Sequence, residues 1–517
     1  MTQLGELDTT GPETTALDTT GRAARPRAST KTVFVVTAMG AFMASLDLSI
    51  VNVAFPALER SFPGGSRATL AWVITGYSIV FGALLVVAGR TADRLGSRRV
   101  FFAGMGVFCL GSLMCGVAPS VGFLVSGRIV QGLGAAALLP SSLALLLGAF
   151  PTERRAQTVA MWGGIGALAV ATGPSLGAVL ITGFGWRAAF FVNLPIGLVA
   201  WLVGRRVLDE SPTAARAAPD YFGVLLLGGA LAALVLAISE GPDWGWTSPA
   251  VLGALGGSAV LGTVFLLRSA RHQEPVLDLQ MFRSRSFSVA NLATLLYAMG
   301  FFAMLLGNIL FLTSVWRYSI LTAGLAVTPG PLVVALVSGP AGKVAGRMGF
   351  RPVLLVGFAV FASGLAWFAL RVGIQREYLS VWLPGTLVVG LGIGLTFPIL
   401  SAAAVSSLHP ERFAVGSAVN QTARQVGGAL GVAVLVVILG APTSLARALA
   451  DFHHLWWFAV AMAMASGVVC MFLGAKRAAA PAVVSELQDA RVVAPPTLAV
   501  ATASDSRLAL DAPLPDA

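Results

Sequence analysis

Charge is what this sequence has least of. Asp, Glu, Lys and Arg make up 11% of its 517 residues, against about 25% in a typical soluble domain. Hydrophobic residues make up 56%. So little polar surface cannot cover a water-facing globule of this size, and the solvent of the fold must be lipid. Cysteine is scarce too. Cys109, Cys115 and Cys470 each fall inside an apolar run, which speaks against a disulfide framework or a metal site. There is no HExxH metal motif and no phosphate-binding loop. The GK at 342–343 lacks both the upstream glycine and the following Ser or Thr of such a loop. An ATP-driven pump and a metalloenzyme are therefore not expected, no cofactor is expected, and the chain reads as a non-enzyme. The net charge of +11 invites a nucleic-acid partner. Its basic residues, however, sit in short loops between apolar runs, which is the pattern that orients membrane proteins.

What the sequence has in abundance is long apolar runs. A membrane-crossing helix needs about 20 mostly apolar residues. Fourteen candidates occur, near 33–55, 69–88, 100–118, 122–147, 158–182, 188–204, 221–239, 249–267, 287–312, 323–341, 352–370, 380–402, 414–440 and 455–474. Backbone groups in lipid must be satisfied within the segment, so each is expected to be a helix. The first run is too long for a signal-peptide core and lacks a clear cleavage site, so it reads as the first span. The polar tails, 1–32 and 475–517, are expected to be disordered.

Lys and Arg set the orientation. With both termini cytoplasmic, the cytoplasmic segments hold 25 of the 34 basic residues and the opposite loops hold 7. Arg128 and Arg424 fall inside spans. This alternation supports fourteen spans in a cytoplasmic membrane. Arg outnumbers Lys 31 to 3, which suggests a GC-rich bacterial source.

The chain also repeats itself. GRTADRLGSR at 89–98 faces GKVAGRMGFR at 342–351 at an offset of 253 without a gap. The same offset carries the ninth span onto the first and the eleventh onto the third. The expected organisation is a six-helix bundle at 33–206, two inserted helices with linkers at 207–286, and a second six-helix bundle at 287–474. Two such halves around a central site are typical of secondary transporters.

Five stretches carry candidate chemistry. LDLSIVNVAFP at 46–56 holds Asp47, the only acidic residue deep inside any expected span. A charge there is costly, so it is a functional candidate by default. The plainer reading is a structural acid paired with a nearby Arg. Asn52 follows it as a candidate lining residue. GRTADRLGSRRV at 89–100 holds Gly89, Asp93, Arg94, Gly96, Arg98 and Arg99. Asp93 can lie against a helix N-terminus, and the arginines can pair with acids of adjacent helices. The plainer reading is a basic loop that only sets topology. The second-half copy has Gly346 in place of Asp93, so a weaker latch is expected there. LVSGRIVQGLGAA at 124–136 places Arg128 at a depth from which it can reach Asp47 if the two helices adjoin. GGIGALAVATGPSLGAVL at 163–180 puts Gly163, Gly166, Gly173 and Gly177 on roughly one helical face, with Pro174 bending the span. VNQTARQVGGALGVAV at 419–434 puts Asn420, Gln421, Arg424 and Gln425 on one polar face, which should point to protein or to a water-filled cavity.

Taken in order, these motifs resemble the fourteen-helix drug:proton antiporter branch of the major facilitator superfamily across residues 33–474. The resemblance implies an all-α membrane protein of the major facilitator fold. It would have 14 transmembrane helices arranged 6+2+6, with two pseudo-symmetric six-helix bundles. It further implies a proton-coupled exporter of amphipathic drugs or antibiotics that works by alternating access. Asp47, with Arg128, would couple the proton, the 89–99 loop would latch the cytoplasmic side, and Gly166, Gly173, Pro174 and Gly177 would form the antiporter-type packing helix. WRAAFFVNLPIG at 186–197 looks like an external cap. Proton symport or uniport of another small solute on the same fold is the alternative. Which drug is carried and whether the chain self-associates are not written in the sequence.

Overall fold

A computed structural model describes residues 29–210, 218–408 and 412–474. Apart from 29–32, the two expected tails lie outside these ranges. All regular structure among the described residues is helical: α1 Thr30–Ser61, α2 Arg67–Leu95, α3 Ser97–Gly116, α4 Val121–Ala149, α5 Thr152–Phe184, α6 Ala188–Phe191, α7 Asn193–Val207, α8 Tyr221–Trp244, α9 Pro249–Arg271, α10 Arg285–Ser314, α11 Ile320–Val327, α12 Pro329–Met348, α13 Phe350–Arg371, α14 Leu383–Val405, α15 Phe413–Leu439 and α16 Leu445–Cys470. Pairing α6 with α7 and α11 with α12 gives fourteen segments long and apolar enough to cross a membrane. The chain is a multi-pass membrane protein.

The helices outrun their apolar cores. The last span, expected at 455–474, starts at Leu445, and α8 runs to Trp244 rather than 239. Hydropathy marks the lipid-facing stretch, whereas capping side chains mark the helix end. Ser66, Ser120, Ser248, Ser319 and Ser444 each accept a hydrogen bond from the amide three residues on, satisfying a donor that the helix leaves orphaned. The longer helices take in acids near their ends: Asp451 lies in the second turn of α16, where it pairs with Arg447 at 3.3 Å, while Asp47 is deep within its span.

The repeat is visible in the packing. α1 packs on α5 as α10 packs on α15, and α3 on α4 as α13 on α14. The offset of 253 carries Gly104 onto Gly357 and Gly111 onto Gly364. A Cβ on any of these four would collide with the facing helix, so both halves use glycine to bring the same helix pair together. The turns match as well. Gly96 between α2 and α3 and Gly349 between α12 and α13 have φ of 98° and 91°, a region that residues with a Cβ rarely enter.

Between the halves, α2 packs on α15, and α5 packs on α11 and α12. The inserted helix α8 touches both α2 and α15, and α9 packs on α8 while presenting Val260, Leu266 and Leu267 outward. The insertion thus covers the seam between halves on the α2–α15 side.

Two membrane faces follow from the chain. The near face carries the start of α1 and the α2–α3 turn. The far face carries the α1–α2 and α15–α16 loops, which Arg67 joins by donating to the Gly440 carbonyl at 3.1 Å. On the far half, Gly324 of α11 is pressed against Pro174 and Ala178 of α5. On the near half, Gly163 and Gly164 of α5 and Gly339, Gly342 and Gly346 of α12 have open space where a Cβ would point.

Candidate functional site

The first bundle closes around one carboxylate. Asp47 lies on α1, facing α4, α3 and α7. Arg128 of α4 donates from Nη1 to Asp47 Oδ2 at 2.5 Å. The same nitrogen donates to Gln131 Oε1 at 2.5 Å, and Nε donates to the Val73 carbonyl of α2 at 2.8 Å. Gln131 Nε2 donates to Asp47 Oδ1 at 2.8 Å and to Ser112 Oγ of α3 at 2.7 Å. Asn193 Nδ2, at the start of α7, donates to Asp47 Oδ1 and to Ser112 Oγ, each at 3.2 Å. The Tyr77 ring caps the guanidinium at 4.2 Å, a cation–π contact.

None of these side chains is more than 1% exposed. A carboxylate held by three donors, one of them a guanidinium, is a fully served ionic group in a closed interior. That arrangement is what makes burial of the two charges tolerable. Five helices meet here, so any rotation of one against another alters the donor set. Rearranging or protonating the carboxylate is the chemistry this arrangement offers.

Sequence reasoning paired Asp47 with Arg128 but missed Gln131, Ser112 and Asn193. Gln131 sits one turn beyond Arg128 inside a motif already noted, so its place on the same helix side was a usable signal. Asn193 falls in the stretch read as an external cap. Trp186 and Phe190 of that stretch do pack together near the far face, but Asn193 reaches inward to the acid.

The second half has no copy of this site. The offset of 253 puts Gly300 where Asp47 stands, and the packing of α14 on α13, which follows that of α4 on α3 at an offset of 258, puts Thr386 where Arg128 stands. Nearby, Phe311, Phe368, Trp382 and Trp456 fill the interior with rings 4.8–5.6 Å apart.

The glycines of α5 divide. Gly166, Gly173 and Gly177 face Ser45, Ser49 and Ile50 of α1, and Ser49 Oγ donates to the Val170 carbonyl at 3.1 Å. Gly163 faces open space, so it does not share their role. Pro174 lies on the other side, against Gly324. Asn52 donates to the Leu48 carbonyl of its own helix at 2.7 Å, and its Oδ1 is buried without a partner.

Toward the end of α2, Gly89 faces Pro140 of α4. The Arg98 side chain donates to the Arg205 carbonyl of α7 at 3.2 Å, and the acid nearby is Glu210 of the linker after α7 rather than one on an adjacent helix. Arg99 meets Glu210 at 3.5 Å, and the Arg98 amide donates to the same carboxylate at 3.0 Å. Asp93 is partly buried and Arg94 exposed near the end of α2. Arg90, outside the expected latch set, pairs with Glu274 at 3.2 Å and donates to the Pro275 carbonyl, tying α2 to the linker that leads into the second half.

The polar residues of α15 lie on one side of the helix but meet different neighbours. Asn420 donates to Asn291 and Thr294 of α10, at 3.2 and 2.9 Å. Gln425 lies against Gly82 of α2, and Arg424 stacks over Phe397 of α14 at 4.4 Å. Gln421 is half-buried. Their arc of about 140° is wide enough to meet three different helices.

Known proteins share this chain's sequence and fold. Residues 37–432 match the sequence profile of the Major Facilitator Superfamily. Multidrug resistance protein Stp of Mycobacterium tuberculosis is 35% identical over 79% of this chain and 75% of its own length. Methylenomycin A resistance protein of Streptomyces coelicolor is 33% identical over 78% and 84%. Tetracenomycin C resistance and export protein of Streptomyces glaucescens is 32% identical over 78% and 74%. A crystal structure of a mutant of the nucleoside transporter NupG has the same fold. It aligns with a TM-score of 0.60 at 10% identity, covering 85% of this chain and 99% of that one. With its two repeated six-helix bundles and two inserted helices, this chain belongs to the Major Facilitator Superfamily.

Proposed function

We propose that the protein is a proton-driven exporter of amphipathic small molecules, drugs or antibiotics among them, working by alternating access. The observation that carries this reading is the sealed Asp47 network, in a chain whose relatives are named for multidrug and antibiotic resistance. A carboxylate that is served by donors from other helices can keep its proton only when those donors move away. Movement of α4 or α7 against α1 then links proton uptake and release to conformation.

The near face is read as cytoplasmic, because it gathers most of the Lys and Arg. Close packing of α5 on α11 in the far half, with uncrowded glycines in the near half, fits a state open toward the cytoplasm. In the cycle, substrate enters from that side. The halves then rock, the network opens outward, Asp47 takes a proton and the substrate leaves. Return to the inward state restores Arg128 to Asp47 and drives the proton into the cytoplasm.

The test is efflux from cells or everted vesicles with and without a protonophore, for the wild type and for Asp47→Asn. Export by the wild type that collapses with the gradient and is lost in the variant supports the reading. Export that persists without the gradient rules it out.

A further inference from the structure

Asp47 is fully occupied by Arg128, Gln131 and Asn193, so it is not displayed to a cationic substrate. The other deep charge is positive. Arg424 sits at the middle of α15, half-buried, and among the described residues no carboxylate forms an ion pair with it. Its Nε is buried with no acceptor, and the neighbouring Gln425 Nε2 is a second buried donor left unmet. The guanidinium rests on the Phe397 ring at 4.4 Å, and Phe397 in turn packs on Tyr297 and Phe301, each at 4.8 Å. The face of an aromatic ring positions a guanidinium but accepts no strong hydrogen bond. An arginine at mid-membrane depth is costly, and it is normally paired or turned toward a pathway. A buried donor without an acceptor also calls for an explanation.

We infer that Arg424 is the recognition point for an anionic oxygen, a carboxylate, enolate or phenolate, carried by an amphipathic substrate. The planar guanidinium suits a two-oxygen anion, and the Phe397 ring beneath it, backed by the buried Tyr297 and Phe301 rings, fixes its plane. The inference names the substrate class of the proposed exporter and rests on that reading for the direction of movement alone. An anion leaving the cell is also drawn by an inside-negative potential, so such a substrate suits export.

The experiment is binding to the purified full-length protein in detergent, followed by fluorescence anisotropy. It uses two xanthene dyes of similar size, anionic fluorescein and cationic rhodamine 6G. Wild type should bind fluorescein more tightly by about ten-fold or more, the scale of one hydrogen bond to a charged group. Arg424→Gln should lose that preference while keeping its affinity for rhodamine 6G, and Arg424→Lys should retain much of it. Equal binding of the two dyes by wild type overturns the inference, as does a preference that survives in a monodisperse Arg424→Gln protein. Binding is read without a gradient, so a failure of proton-driven export leaves this result intact, and a failure here leaves export to its own test.

Discussion

Arg128 and Asp47, 81 residues apart in sequence, meet at 2.5 Å in the interior of the first bundle with both side chains closed to solvent. Removing one member of such a pair strands the other charge. Asp47→Asn and Arg128→Gln should each destabilise the protein by about 3–5 kcal/mol. The double variant, with no stranded charge, should recover much of that loss yet still fail to couple export to protons. Thermal unfolding of the purified proteins and protonophore-sensitive efflux measure the two effects separately. A double variant with normal coupled efflux would remove the pair from the mechanism.

Asn193 holds Asp47 and Ser112 together from α7. Asn193→Leu leaves both buried acceptors one donor short. The expected cost is about 1–3 kcal/mol of stability, with reduced efflux. Unchanged melting would mean that the contact contributes little.

The glycines of α5 offer an internal control. Gly173→Val would drive a branched side chain into Ser49, and Gly177→Val would press on Ile50, so both should lose export and lose about 1–3 kcal/mol. Gly163→Ala meets nothing and should transport normally. Efflux normalised to membrane expression distinguishes them. Equal loss at Gly163 would show that the helix face, rather than the α1 contact, is what matters.

The two repeated turns separate strain from collision. Gly349→Ala meets open space, so only its positive φ, paired with an extended ψ of 164°, is penalised, at about 1–3 kcal/mol. Gly96→Ala carries the same strain and also runs into Glu210, the acid that holds Arg98 and Arg99. It should be the more damaging of the two in a melting assay. The reverse order would mean that Glu210 gives way freely.

The apolar runs disclosed the fourteen helices, because lipid demands about 20 apolar residues and an internally bonded backbone. They did not disclose the helix ends, since Leu445 and Trp244 lie beyond the apolar runs, where caps decide. The α15 motif shows the limit in another way. Asn420, Arg424 and Gln425 look like one face by spacing, yet they address α10, α14 and α2 because three helices crowd that arc.

By itself the sequence determined the solvent of the fold, the number of spans, the 253-residue repeat and the presence of one deep acid in the first span. All of these are written along the chain, in composition and period. Tertiary structure decided which donors reach Asp47, that the second half keeps no copy of that site, and that Arg424 is left without an acid among the described residues. Those outcomes depend on how helices far apart in sequence are rotated and set against one another, and a few tenths of an ångström of approach separates a made hydrogen bond from none.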